Sequence, residues 1–195
     1  MTSPWVVAPV FLLLTLAAAG CGSRIIVLTD PLSADEHTAL GVSYEREGKL
    51  ELASREYERA LKKDPGAFHA RFNLGNIRLA EKRYDAAKEQ YLKALEIRPD
   101  DPRPANNLAW AAIFSGVGME DALGRLELAL SEKSRRAPPY LDTLGVLLVE
   151  MSRVSEARVV FNEALARCQA LDPSCTEAVR AELHEHSEAL AGRLK

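Results

Sequence analysis

Apolar residues recur at three- and four-residue spacing along most of this chain, the period of a helix with one buried side. Within residues 85–95, Ala87, Tyr91 and Ala94 follow that spacing. The helical segments themselves recur. Leu-Gly stands at Leu40-Gly41, Leu74-Gly75 and Leu144-Gly145, with Leu108-Ala109 in the place between, at steps of 34, 34 and 36 residues. Twelve positions after each Gly comes a small residue (Ala53, Ala87, Ala157), and sixteen after comes an aromatic ring (Tyr57, Tyr91, Phe161). Ala-Leu then follows at Ala60-Leu61, Ala94-Leu95 and Ala164-Leu165. Pro65 and Pro99 disfavour the helical conformation at Asp64 and Arg98 and so end the first two units. Ser33 followed by Glu36 reads as a capping box that starts the first helix at about Ala34. The pattern predicts helix pairs over 34–64, 68–98, 102–134 and 138–170, then a last helix over 176–192. The third pair is irregular: Gly116-Val117-Gly118 loosens its turn, and the next small residue, Ala122, arrives one position late.

Small residues where two helix axes come closest, with a ring or leucine filling the space beside them, are what antiparallel helix pairs require. This register resembles the tetratricopeptide repeat. The resemblance implies an all-α, right-handed solenoid of about four repeats, at 34–67, 68–101, 102–137 and 138–171. Residues 172–195 then form a capping helix, whose Glu177, Arg180, Glu182, Glu185, Glu188 and Arg193 make the polar end that a solenoid needs.

Residues 1–23 carry no charged side chain, and the apolar run from Trp5 to Gly20 is shorter than the roughly 20 residues of a membrane span, which suits a signal peptide. The stretch from Leu16 to Cys21 resembles a bacterial lipobox. That resemblance implies a lipoprotein signal peptide over 1–20 and an acylated, palmitate-bearing Cys21. A multiply acylated cysteine is a lasting membrane anchor. Gly22 in place of Asp implies sorting to the outer membrane, facing the periplasm. Residues 21–33 then form a linker of at most about 40 Å, in which Ile25-Ile26-Val27-Leu28 favours an extended strand. That strand either packs along the first helix pair or adds to the sheet edge of a partner.

Composition narrows the function. Lys and Arg number 25 against 28 Asp and Glu, a net charge of −3, which lacks the basic surface of a nucleic-acid binder. With Cys21 acylated, Cys168 and Cys175 remain as a pair joined by a short segment that can fold back. They form a disulfide, or they stand as two free thiols on neighbouring helices. No His or Cys at ligand spacing joins them to make a zinc site.

No nucleophile elbow, phosphate loop or metal-ligand pattern appears, so neither an enzyme nor a cofactor or metal is expected. His184 and His186 are two apart on a helix, face different ways, and read as surface residues. Asp142-Thr143 belongs to the repeat. The family resemblance places ligand contacts on the first helix of each pair. Here those positions hold Phe72, Asn76 and Leu79, then Arg103, Asn106, Trp110, Ile113 and Phe114, an aromatic and apolar surface with amide groups suited to a protein or peptide partner. The carboxylate clamp of tetratricopeptide co-chaperones is incomplete. Asn73 and Arg103 match it, while Thr38, Val42 and Asn107 do not. The overall reading is a lipid-anchored periplasmic scaffold for envelope assembly or export. The alternative is a non-catalytic companion of a secreted papain-like cysteine peptidase, because residues 25–48 resemble the segment leading into repeats attached to such enzymes.

Overall fold

The computed structural model describes residues 30–170 and 174–193. Met1–Pro31 form a separate unit. The expected leader, Cys21 and the aliphatic run of the linker lie outside the described residues. From Leu32 onward, the described residues form α-helices and one short 3₁₀ turn, with no strand. The helices are α1 (Ala34–Arg46), α2 (Leu50–Lys63), α3 (Phe68–Ala80), α4 (Tyr84–Ile97), α5 (Pro102–Ser115), α6 (Met119–Ala129), α7 (Pro138–Glu150), α8 (Val154–Gln169) and α9 (Glu177–Arg193). Consecutive helices pack in pairs, and α1, α3, α5 and α7 neighbour one another in that order. The result is an all-α helix-pair solenoid.

Local chemistry sets the helix ends. Ser33 Oγ accepts from the Glu36 N–H at 3.2 Å, while the Glu36 carboxylate accepts from the Ser33 N–H at 2.8 Å. These bonds satisfy two donors that the first turn of a helix leaves open. Asp101 caps α5 by accepting from the Arg103 N–H, and Pro102 takes the first helical position, where its missing N–H costs nothing.

The first, second and fourth pairs are each locked by one ring against one missing side chain. A Cβ on Gly41, Gly75 or Gly145 would stand 2.4, 2.6 or 2.5 Å from the ring of Tyr57, Tyr91 or Phe161. All three rings are buried. The third pair has neither partner: Ala109 stands where the others have Gly, and the buried Leu126 fills the space of the ring. A Cβ is tolerated at 109 because a leucine leaves the room that an aromatic ring would take.

The third pair also departs from the expected boundaries. Its turn has both glycines in the left-handed region, Gly116 at φ 70° and Gly118 at 82°, a conformation that costs other residues roughly 1–2 kcal/mol. α6 stops at Ala129, several residues short of the expected end near 134. No proline ends α6; Pro138 comes later and starts α7. Instead the 3₁₀ turn Lys133–Arg135 leads to Arg136, whose guanidinium makes two bonds, of 2.8 and 2.6 Å, to the Glu163 carboxylate on α8.

α9 lies against α7 and α8 through the buried Leu183 and Leu190. Cys168 and Cys175 are bonded, with their Cα atoms 5.2 Å apart. His184 is exposed. His186 departs from the surface reading, because its Nδ1 is 2.8 Å from Asp142 Oδ1 and its ring lies 6.2 Å from that of Phe161. Sequence spacing along α9 carried no trace of a partner 44 residues earlier.

Candidate functional site

The face made by α1, α3, α5 and α7 holds the residues expected to bind. Phe72, Leu79 and Ile113 each turn one side to the core and leave the other partly open. Trp110 is half-buried and stacks on Phe114, with centroids 5.5 Å apart. Phe114 is 55% exposed and also meets Tyr84 at 5.7 Å. Beyond it Val117, at the tip of the glycine turn, is 63% exposed. The aromatic shelf therefore runs from the middle of α5 to its C-terminal edge.

The amides form a chain of hydrogen bonds. Asn106 Nδ2 donates to Asn107 Oδ1 at 3.2 Å, and Asn107 Nδ2 donates to Asn76 Oδ1 at 2.9 Å. The same Asn76 oxygen accepts from the Tyr91 hydroxyl at 3.0 Å. One pair earlier, Asn73 Nδ2 donates to the Tyr57 hydroxyl, which itself donates to Glu45. Burial pushes both phenols above their ordinary range, so they remain donors at any physiological pH. The core ring of each of the first two units thus fixes an asparagine on the binding face. In the fourth pair Thr143 takes the position of Asn73 and Asn107, and its hydroxyl bonds to the Pro139 carbonyl instead. That matches the absence of a phenol at Leu126. Asn106 Oδ1 is buried with no hydrogen-bond partner among the described residues.

Arg103 is committed to Asp101 by two side-chain bonds of 3.0 and 2.6 Å. Burial works to raise the Asp101 carboxyl, but the Arg103 bonds outweigh it and hold the group below the usual carboxylate range. The Arg103 guanidinium lies 5.5 Å from the Phe72 centroid, and that of Arg98 lies 4.2 Å over Phe68. Phe68 and Arg98 are additions to the expected set. Arg98 had been legible only as a residue before proline, and Phe68 only as the start of a helix.

A groove of about 490 Å³ opens between α1 and α3, lined by Thr38, Val42, Phe68 and Asn73, with Asp35 and Asp64 on its walls. Arg98 and His69 line the same groove, so its walls carry both signs of charge. Among the described residues no group of His, Cys, Asp and Glu is arranged to hold a metal. No described helix is long and apolar enough to cross a membrane.

The sequence profile of the tetratricopeptide repeat matches residues 38–102. YrrB, described as a tetratricopeptide protein with an unusual peptide-binding site, superposes with a TM-score of 0.66 at 18% identity, covering 82% of this chain and 77% of that one. Residues 38–102 thus match the tetratricopeptide repeat in sequence, and the fold around them is the one that YrrB shares. The solenoid also superposes on PilW, a widely conserved type IV pilus biogenesis factor, with a TM-score of 0.62 at 19% identity over 82% of this chain and 78% of that one. In sequence it is 34% identical over 86 residues to the type IV pilus assembly protein PilF of Pseudomonas aeruginosa, covering 43% of this chain. The match spans about a third of the length of that relative.

Proposed function

We propose that this protein is a lipid-anchored, non-catalytic scaffold that faces the periplasm from the outer membrane and holds a protein or peptide segment in an envelope assembly such as a type IV pilus. The observation that carries the reading is the half-open shelf of Trp110 and Phe114 on α5, the helix that also carries Asn106 and Asn107 of the amide chain to Asn76. Aromatic rings on a rigid helical frame provide large contact area at little entropic cost, and ordered amides can pair with a ligand's main chain. The likeness to PilF and PilW supplies the kind of assembly, and the charge-free leader ending at Cys21 supplies the anchor.

A photo-crosslinking amino acid at position 114, introduced in the native host, tests the binding face. Crosslinks to an envelope-assembly protein, lost on Trp110→Ala, are expected. Crosslinks that persist unchanged in Trp110→Ala would remove the shelf from the site. Labelled palmitate tests the anchor separately: it should enter the wild type and not Cys21→Ser.

A further inference from the structure

The attachment of α9 is thin. Between Glu177 and Leu190 only Leu183 and Leu190 are buried. A cavity of about 220 Å³ remains between this helix and α7 and α8, lined by Val146, Val149, Phe161, His186, Ala189 and Leu190. The helix nevertheless occupies a defined place. The Tyr57 ring of α2 meets Asn73 of the following first helix, the Tyr91 ring of α4 is tied through Asn76 to Asn107 of α5, and the Phe161 ring of α8 meets His186 of α9. α9 therefore fills the slot of the first helix of a fifth pair, with far less apolar surface than a repeat would bring.

Two specific attachments make up for that deficit. One is covalent, the Cys168–Cys175 disulfide, which pins the start of α9 beside the end of α8. The other is polar: the Asp142 side chain on α7, nearly buried, is 2.8 Å from His186 Nδ1. Without His186 that carboxyl would sit beneath the helix with the like charge of Glu182 acting on it, an arrangement that disfavours docking.

We propose that α9 is a releasable cap held by two latches, the Cys168–Cys175 disulfide and the Asp142–His186 pair, and that it leaves only when both are undone. Release uncovers the apolar face of Val146, Val149 and Phe161 while the four helix pairs stay folded, as nearest-neighbour packing in a solenoid allows. The redox step is balanced: a dithiol supplies two electrons and two protons to the S–S bond, leaving two thiols on the protein and a cyclic disulfide of the reductant.

Hydrogen exchange read by mass spectrometry on the full chain tests this, with peptides from α9 and α4 followed together. Wild type, His186→Leu and His186→Asn are each measured oxidised and after reduction by dithiothreitol. Asn keeps a donor near the position of Nδ1. Protection of α9 is expected to fall about tenfold or more only in reduced His186→Leu, with α4 unchanged. Reduced wild type and reduced His186→Asn should both keep their protection. Unchanged α9 protection in reduced His186→Leu would overturn the proposal, as would loss of α9 and α4 protection together, which would make the cap part of one cooperative unit. Full release by either change alone would reduce the two latches to one. Release in reduced His186→Asn would take the hydrogen bond out of the mechanism.

Discussion

At the scale of single residues, the most informative contact is a glycine against a ring. Gly75→Ala places a Cβ 2.6 Å from a Tyr91 ring that is buried and tied by its hydroxyl to Asn76, so the ring cannot swing aside. Overpacking of this kind costs about 1–3 kcal/mol, and denaturant melts of Gly75→Ala should show it. In a Tyr91→Leu background the same change should cost little, because that combination reproduces the third pair, where Ala109 and Leu126, both buried, stand in place of the glycine and the ring. Equal losses in both backgrounds would mean that helix packing, not the ring, excludes the side chain. Trp110 belongs to this scale too. It is half-buried and stacks on an exposed ring, so Trp110→Ala should leave the melt near wild type and lower partner affinity by about 2 kcal/mol or more. A buried Trp would instead cost about 3–5 kcal/mol of stability. Melt and affinity measured side by side separate the two.

At the scale of elements, the third pair shows how a short helix is compensated. α6 ends early, and Arg136 from the segment after it reaches Glu163 on α8, which also accepts from Arg167 at 3.1 Å. The Arg136 bond is the main reason that the Glu163 carboxyl is held below its ordinary range, with Arg167 adding to it against a smaller effect of burial. A carboxyl lowered in the folded state stabilises at pH values above its unfolded range, and that contribution is lost as pH falls through the folded value. Glu163→Gln should therefore lower stability at pH 7 by about 1 kcal/mol or less, since the pair is partly open to water. The difference from wild type should close on acidification below about pH 4, the ordinary carboxylate range. A gap that stayed constant from pH 7 to pH 3 would assign the effect to packing.

At the scale of the whole molecule, the buried residues among those described form two clusters, one where the first pair meets α3 and a larger one running from α4 to α9. The contacts join neighbours in sequence, the arrangement in which a solenoid's stability is a sum over adjacent pairs. Bonded Cys168 and Cys175 close a loop at the far end. In the chain-entropy view so short a loop contributes roughly 2–3 kcal/mol. Alkylation without reductant should find neither thiol free in exported protein, and full labelling of both would remove the bond.

The sequence by itself determined the helix-pair solenoid and the glycine, alanine and ring positions that lock each pair, because those contacts repeat at a fixed spacing and periodicity is visible without coordinates. The family resemblance its register carries also placed Phe72, Asn76, Arg103, Asn106, Trp110 and Phe114 on the first helices of the pairs. Contacts between distant segments are another matter. Asp142 with His186, Arg136 with Glu163, and Arg98 over Phe68 are single events with no second copy to reveal them. Only the tertiary structure decided them, because side chains 27 to 44 residues apart meet through the packing of whole helices, and one-off pairings leave no period in the chain.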